Sequence, residues 1–299
     1  MSLTISAAQV GTLIANPSSI SGYSASGPII ITGAITYTQA NSLNAVDATY
    51  IQATISETTV TNLSGIAVNN STRASLNKFT TVVSDTAATA AELNAVQALT
   101  SVAVDASNVA AIEASDAAAI TTLYTSSVSG LGNETITITD ASLSVTQANA
   151  VDALTTGAVT ATISNNDVDT LIGLTGVGNA YTLTVTDTSA SASNLNALDA
   201  KTTGAVNVTS TTITGAAADV NTAFASSGII GLGSEAVTLT DTTLAAATLT
   251  TLNGNTTGTV DAFSLNTLTG TVDQLYICLL YTSDAADEGL GVDLGGRRI

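Results

Sequence analysis

Three short runs of the chain alternate threonine with aliphatic residues: TITITD at 135–140, TLTVTD at 182–187 and AVTLTD at 236–241. Alternation with period two puts Thr135, Thr137 and Thr139 on one face of an extended strand and Ile136 and Ile138 on the other; Leu183 and Val185 repeat the pattern. Each run therefore predicts a strand with one buried and one solvated face. A different pattern follows a few residues later in LNAVQA (93–98), ANAVDA (148–153), LNALDA (195–200) and LTTLNG (249–254). Leu195 and Leu198 sit at the i, i+3 spacing of a helix face, Ser or Thr precedes them as a candidate N-cap, and Gly204 follows as a candidate C-cap. Helices this short are marginal alone, so they must be held by packing onto the strands.

These blocks recur in order. After the helix-like block comes a segment often opened by Thr-Thr-Gly, as in TTGAVTATIS, TTGAVNVTST and TTGTVDAFSL. A second apolar block follows (AAAITTLY, NNDVDTLI, AAADVNTAF), and a glycine turn closes the module at SGLGNE, TGVGNA or GLGSEA. The module is about 50 residues long and holds two similar halves of about 25, the period of a repeat architecture. Asp85, Asp140, Asp187 and Asp241 mark equivalent places in successive modules, the first in the degraded copy VVSDT.

A strand–helix–strand half of this length can make a parallel crossover, and such crossovers are right-handed. The expected fold is a repeat solenoid of right-handed parallel β coils with short helices, a β/α solenoid; a plain parallel β-helix is the alternative. Residues 31–275 hold about five modules of two coils each, and nine or ten coils at the strand spacing give a rod section on the order of 45 Å long. Residues 1–30, with Pro17, Pro28 and Gly/Ser clusters, read as an irregular start or cap. From about Tyr276 the register breaks, so residues 276–299 form a third, non-repeat region.

Composition narrows the chemistry. Of 299 residues 23 are acidic and 5 basic, giving a net charge of −18, which repels phosphate backbones and argues against nucleic-acid binding. Histidine is absent, so imidazole catalysis is excluded, and the one cysteine, Cys278, lies in the non-repeat tail. No His and one Cys leave no common zinc or copper site and no disulfide framework. No apolar run reaches the length of a membrane span, and the first residues show no secretory signal. The glycine turns lack the lysine of a phosphate-binding loop.

Three constellations remain. Asp140, Asp187 and Asp241 should recur at one corner of alternate coils, where a ladder of carboxylates invites a hard cation such as Ca2+. The calcium-binding nonapeptide of other β-rolls is missing, and a turn Asp bonding its own backbone is the simpler reading, so no cofactor is expected. Thr137, Thr139, Thr184, Thr186, Thr238 and Thr240 would form a hydroxyl grid able to meet a glycan or ice, although Asn207 and Asp261 interrupt its regularity. Asp167 and Asp169 could act as paired carboxylates in a polysaccharide-acting β-helix, but NNDVDTLI reads as a capped helix start.

The repeat blocks TTGTVDAFSLNTLTGTVDQL, TITGAAADVNTAFASSGIIGLGSEAVTLTDTTLAAATL and SNLNALDA resemble the tandem beta-strand repeats of very large surface or secreted proteins of marine cyanobacteria and other bacteria. The resemblance spans roughly residues 30–275 and implies an extracellular or cell-surface, structural or adhesive role, with no catalytic residues to carry over. CLLYTSDAADE at 278–288, with DLGGRRI at the end, resembles translated sequencing-adapter read-through, which would make the chain a fragment of a longer array. The expectation is thus a non-enzymatic rigid acidic spacer or adhesive rod whose partners are neighbouring repeats of its own chain, and a glycan or other surface ligand. A calcium-stabilised adhesin using the threonine face and a polysaccharide-acting enzyme are the alternatives.

Overall fold

The computed structural model describes residues 2–67 and 76–276. The expectations for Cys278 and for the tail beyond Tyr276 lie outside the described residues. The chain has an α/β fold of short strands and short helices in which the sheets are purely parallel and no closed barrel forms. It divides into two compact units, Met1–Ala141 with Gln147–Ala161, and Ser142–Thr146 with Thr162–Ile299.

In the first unit, strands Leu3–Ser6, Ile29–Ile35, Ile51–Ile55 and Lys78–Thr80 pair in that order. Leu3 faces Ile29, Ile29 faces Ile51 and Gln52 faces Lys78. Strands Ala87–Ala88, Ala111–Ser115, Thr135–Ile138 and Val159–Thr162 pair likewise. In the second unit, Ala180–Val185, Val206–Val208 and Ile229–Ile230 form one ladder. Ser189–Ser191, Thr212–Gly215, Ala236–Leu239 and Val260–Asp261 form another. Thr243–Ala245 pairs with Thr267–Thr269. Each step along a ladder advances the chain by roughly 23 residues, which leaves room for the short helix that a parallel crossover needs.

The alternation expected for the strands holds. Ile136, Leu183, Val185, Val237 and Leu239 are buried, whereas Thr137, Thr139, Thr186 and Thr240 are exposed and Thr184 and Thr238 half-buried. The helices arise as the capping residues dictate. Thr36 and Thr89 open capping boxes with Gln39 and Glu92, and the carboxylates of Asp116 and Asp167 accept from the N–H groups of Ala119 and Thr170. Leu195 and Leu198, the i, i+3 pair, are fully buried in helix Ala192–Asp199.

Residues 1–30 depart from the expected irregular cap. They contain the paired strand Leu3–Ser6 and the helix Val10–Ala15, and Leu3, Ile5, Val10 and Leu13 are buried. The alternation in LTIS and the Ser6–Gln9 capping box are the same signals that build the later coils; the Pro17 and Pro28 neighbourhoods drew the reading away from them.

Candidate functional site

Of the carboxylates marking the repeat, Asp140 belongs to the first unit and Asp187 and Asp241 to the second. Each occupies the same kind of place: its Oδ2 accepts from the first backbone N–H of a helix lying earlier in the chain. Asp140 takes the N–H of Ala117 at 2.7 Å, Asp187 that of Val168 at 2.8 Å and Asp241 that of Ala217 at 2.7 Å. Asp85 does the same for Val60 at 2.7 Å. The device is wider than the aspartates, since Glu57 caps Tyr37, Ser115 caps Ala90 and Asn165 caps Val145. The first four N–H groups of a helix have no partner within it, and an anion there also meets the positive end of the helix dipole. These corners are therefore helix caps supplied from another coil. Among the described residues no group of three or more carboxylate or thiol side chains is placed to hold a metal ion.

The threonine face is divided. In the first unit Thr137 lies beside Thr160. In the second, Thr184 lies beside Asn207, which lies beside Ile230, whereas Thr238 lies between Thr214 and Asp261 in the other ladder. Thr184 and Thr238, equivalent in the aligned modules, thus do not share a ladder. The reason is spacing: Asp187 to Asp241 is about seven residues longer than Asp140 to Asp187, enough to move the second run onto the next strand position. Asp167 holds the N–H of Thr170 at 2.8 Å, and that bond, made to its charged form, lowers its pKa below the ordinary value. Asp169 lies within 3.5 Å of the Asn194 amide.

The residues with the fullest sets of contacts are ones the pattern analysis treated only as punctuation. In Thr202-Thr203-Gly204, the Thr202 hydroxyl is buried, accepts from the N–H groups of Tyr181 (2.8 Å) and Gly204 (2.9 Å), and lies 2.8 Å from the Tyr181 carbonyl to which it donates. A hydroxyl has one proton and two lone pairs, so this one is saturated. Thr155 and Thr256 repeat the arrangement, donating to the carbonyls of Glu134 and Glu235 at 2.7 Å and accepting from Gly157 and Gly258. The second threonine of each motif reaches one turn further: Thr156, Thr203 and Thr257 donate N–H to the carbonyls of Gly132, Asn179 and Gly233. The glycine completes the motif because a Cβ at Gly157, Gly204 or Gly258 would stand 2.2–2.3 Å from a backbone oxygen of the adjoining coil.

The glycine turns also carry two glutamates that the sequence did not flag. Glu134 is fully buried; both its carboxylate oxygens accept from Gly132 N–H, and Tyr124 donates its hydroxyl to it at 2.6 Å. Glu235 is buried too and accepts from Gly233 and Ser234. Burial and the neighbouring carboxylate raise the Tyr124 pKa well above the ordinary tyrosine value. The only hint in sequence was a glutamate directly after a Gly-x-Gly turn in an otherwise uncharged stretch.

The asparagines of the helix blocks are used similarly. Asn94 and Asn196 donate to the carbonyls of Ala119 and Asp219, at 2.9 Å each, joining one helix to the next. Repeated polar side chains thus go largely into contacts between coils. No family model, no curated protein and no solved structure matches the chain. No described helix is long and apolar enough to cross a membrane.

Proposed function

We propose that the chain is a non-enzymatic structural segment, a rigid acidic spacer or adhesive rod in a bacterial cell-surface or secreted protein. In this reading its coils stack as a right-handed β/α solenoid. The observation that carries the reading is the destination of the recurrent polar residues. The Thr-Thr-Gly turns, the corner aspartates and the helix asparagines hydrogen-bond to backbone of another coil. A repeat selected for chemistry would leave its recurring acids and hydroxyls aimed at a common cleft; these are aimed at the neighbouring coil. Length and stiffness then follow from coil-on-coil burial, while exposed threonine and a net charge of −18 keep the surface hydrated and disfavour nonspecific association. The scarcity of lysine and arginine also leaves few sites for trypsin-like proteases, which suits an extracellular setting. No bound metal is required by this reading.

The test is growth along one axis. Duplicating residues 205–258 directly after Gly258 keeps every Thr-Thr-Gly junction and adds two coils. The longest dimension measured by solution scattering should rise by about 10 Å, two strand spacings, with an unchanged cross-section. Growth in all directions, or a chain that no longer folds, would overturn the solenoid rod. Melting followed by circular dichroism should be the same with calcium and with chelator; folding that appears only with calcium would replace the spacer by a calcium-dependent adhesin.

A further inference from the structure

The first and last described coils are built alike. Leu3–Ser6 leads into a box in which Gln9 accepts from Ser6 N–H at 3.0 Å, and Thr267–Thr269 leads into one in which Gln274 accepts from Thr271 N–H at 3.0 Å. Leu3 and Leu268 stand at the same distance in sequence from their capping residues. Their apolar side chains have different fates. Leu3, Ile5, Val10 and Leu13 are buried, but Phe263 is 96% exposed, Val272 82% and Tyr276 67%.

Both coils also carry a strand paired on one side only. In a parallel ladder alternate residues turn their N–H and C=O groups to opposite sides. Leu3 N–H goes to Pro28 and Thr267 N–H to Thr242, so the peptide groups of Thr4 and of Leu268 point to the unpaired sides. An edge of this kind is a template for another strand. At earlier steps in the same unit the corresponding edge is covered by a coil of the same repeat, in parallel and in register.

We infer that the 260–276 coil is a docking surface for the 3–15 coil of a second copy of this chain, extending the parallel ladder from Leu268 to Thr4 across the junction. The contact is heterologous, since two different surfaces meet, and it does not close, so association runs on into linear chains of copies. Each copy carries the same charge of −18, so the junction forms against long-range repulsion and strengthens as salt screens it. The inference takes from the spacer reading only the coil-on-coil geometry of the two end coils.

Sedimentation velocity of the full chain across a concentration series, at low and high salt, tests it. The expected result is a ladder of species that grows with concentration and with salt. Phe263→Asp with Val272→Asp, both on exposed positions, should return the protein to a monomer with an unchanged melting curve. Thr4→Pro, which removes an outward N–H without touching the Ile29–Ile35 pairing, should do the same from the other end. A wild-type chain that stays monomeric throughout, with residues 277–299 or nothing on the edge, overturns the inference. So does a dimer that grows no further, which would mean like ends pairing, and so does association that survives both sets of substitutions. None of these outcomes alters growth along one axis in the duplicated chain, so the two proposals fail separately.

Discussion

Threonine is spent in two very different ways in this protein. On the strands, Thr137, Thr139, Thr186 and Thr240 point into solvent, where β-branching suits an extended backbone and many residues would serve. In the Thr-Thr-Gly turns, Thr155, Thr202 and Thr256 are buried or nearly so, with their hydroxyls engaged with backbone from another coil. The strand threonines are the more conspicuous in sequence because they alternate. The turn threonines are the more constrained in structure because three backbone groups depend on one oxygen. Regular spacing measures a strand's solvated face; it says little about which hydroxyls the fold needs.

Substitutions can sharpen or break that contrast. The largest effect is expected at Gly204, where a Cβ would sit 2.3 Å from the Tyr181 carbonyl oxygen. Gly204→Ala should cost about 3 kcal/mol or more in denaturant unfolding, because a backbone rather than a flexible side chain must move. Thr202→Val keeps the shape and removes the hydroxyl, stranding backbone groups in the interior, and should cost about 2 kcal/mol. Equal stability for Thr202→Val and wild type would erase the distinction between turn and strand threonines.

The corner aspartates come next. Asp241→Ala leaves the N–H of Ala217 without its cap and should lower stability by about 1 kcal/mol, and Asp241→Asn, which keeps an acceptor, should recover part of the loss. A smaller and pH-dependent effect belongs to Tyr124. Its pKa is higher folded than unfolded, so its contribution is complete below the unfolded value of about 10 and is lost as pH rises from there toward the folded value. Unfolding titrations at alkaline pH should show this decline, and Tyr124→Phe should flatten it. Smallest of all, Thr137→Ser and Thr186→Ser should each shift stability by no more than about 0.5 kcal/mol. A larger loss at either would give the strand face a structural role it is not assigned here.

Much of the local structure could be read directly. TITITD and TLTVTD became strands with the expected faces, and LNALDA became a helix burying Leu195 and Leu198. The first coil was hidden because two prolines and a glycine-serine cluster outweighed a four-residue alternation. The corner aspartates were legible as recurring but not as caps, because each caps a helix in a different coil, and such a bond depends on ladder register. Aligning modules of two coils cannot supply that register: Thr184 and Thr238 match in alignment and fall on different ladders. Glu134 was unreadable for a related reason, since its partner Tyr124 belongs to the preceding helix and nothing local marks the pair.

The borrowed helix caps give the chain a direction in time as well as in space. The side chain that completes each capped helix lies later in the sequence, from 19 residues later for Asp187 to 25 for Asp85 and Ser115. A ribosome makes the helix before it makes the cap. Each newly emerged helix therefore waits, with its first N–H unsatisfied, until the next turn of chain arrives to finish it. Synthesis then proceeds as a row of unfinished steps, each closed by its successor, with the least stable part of the nascent protein always nearest the exit tunnel.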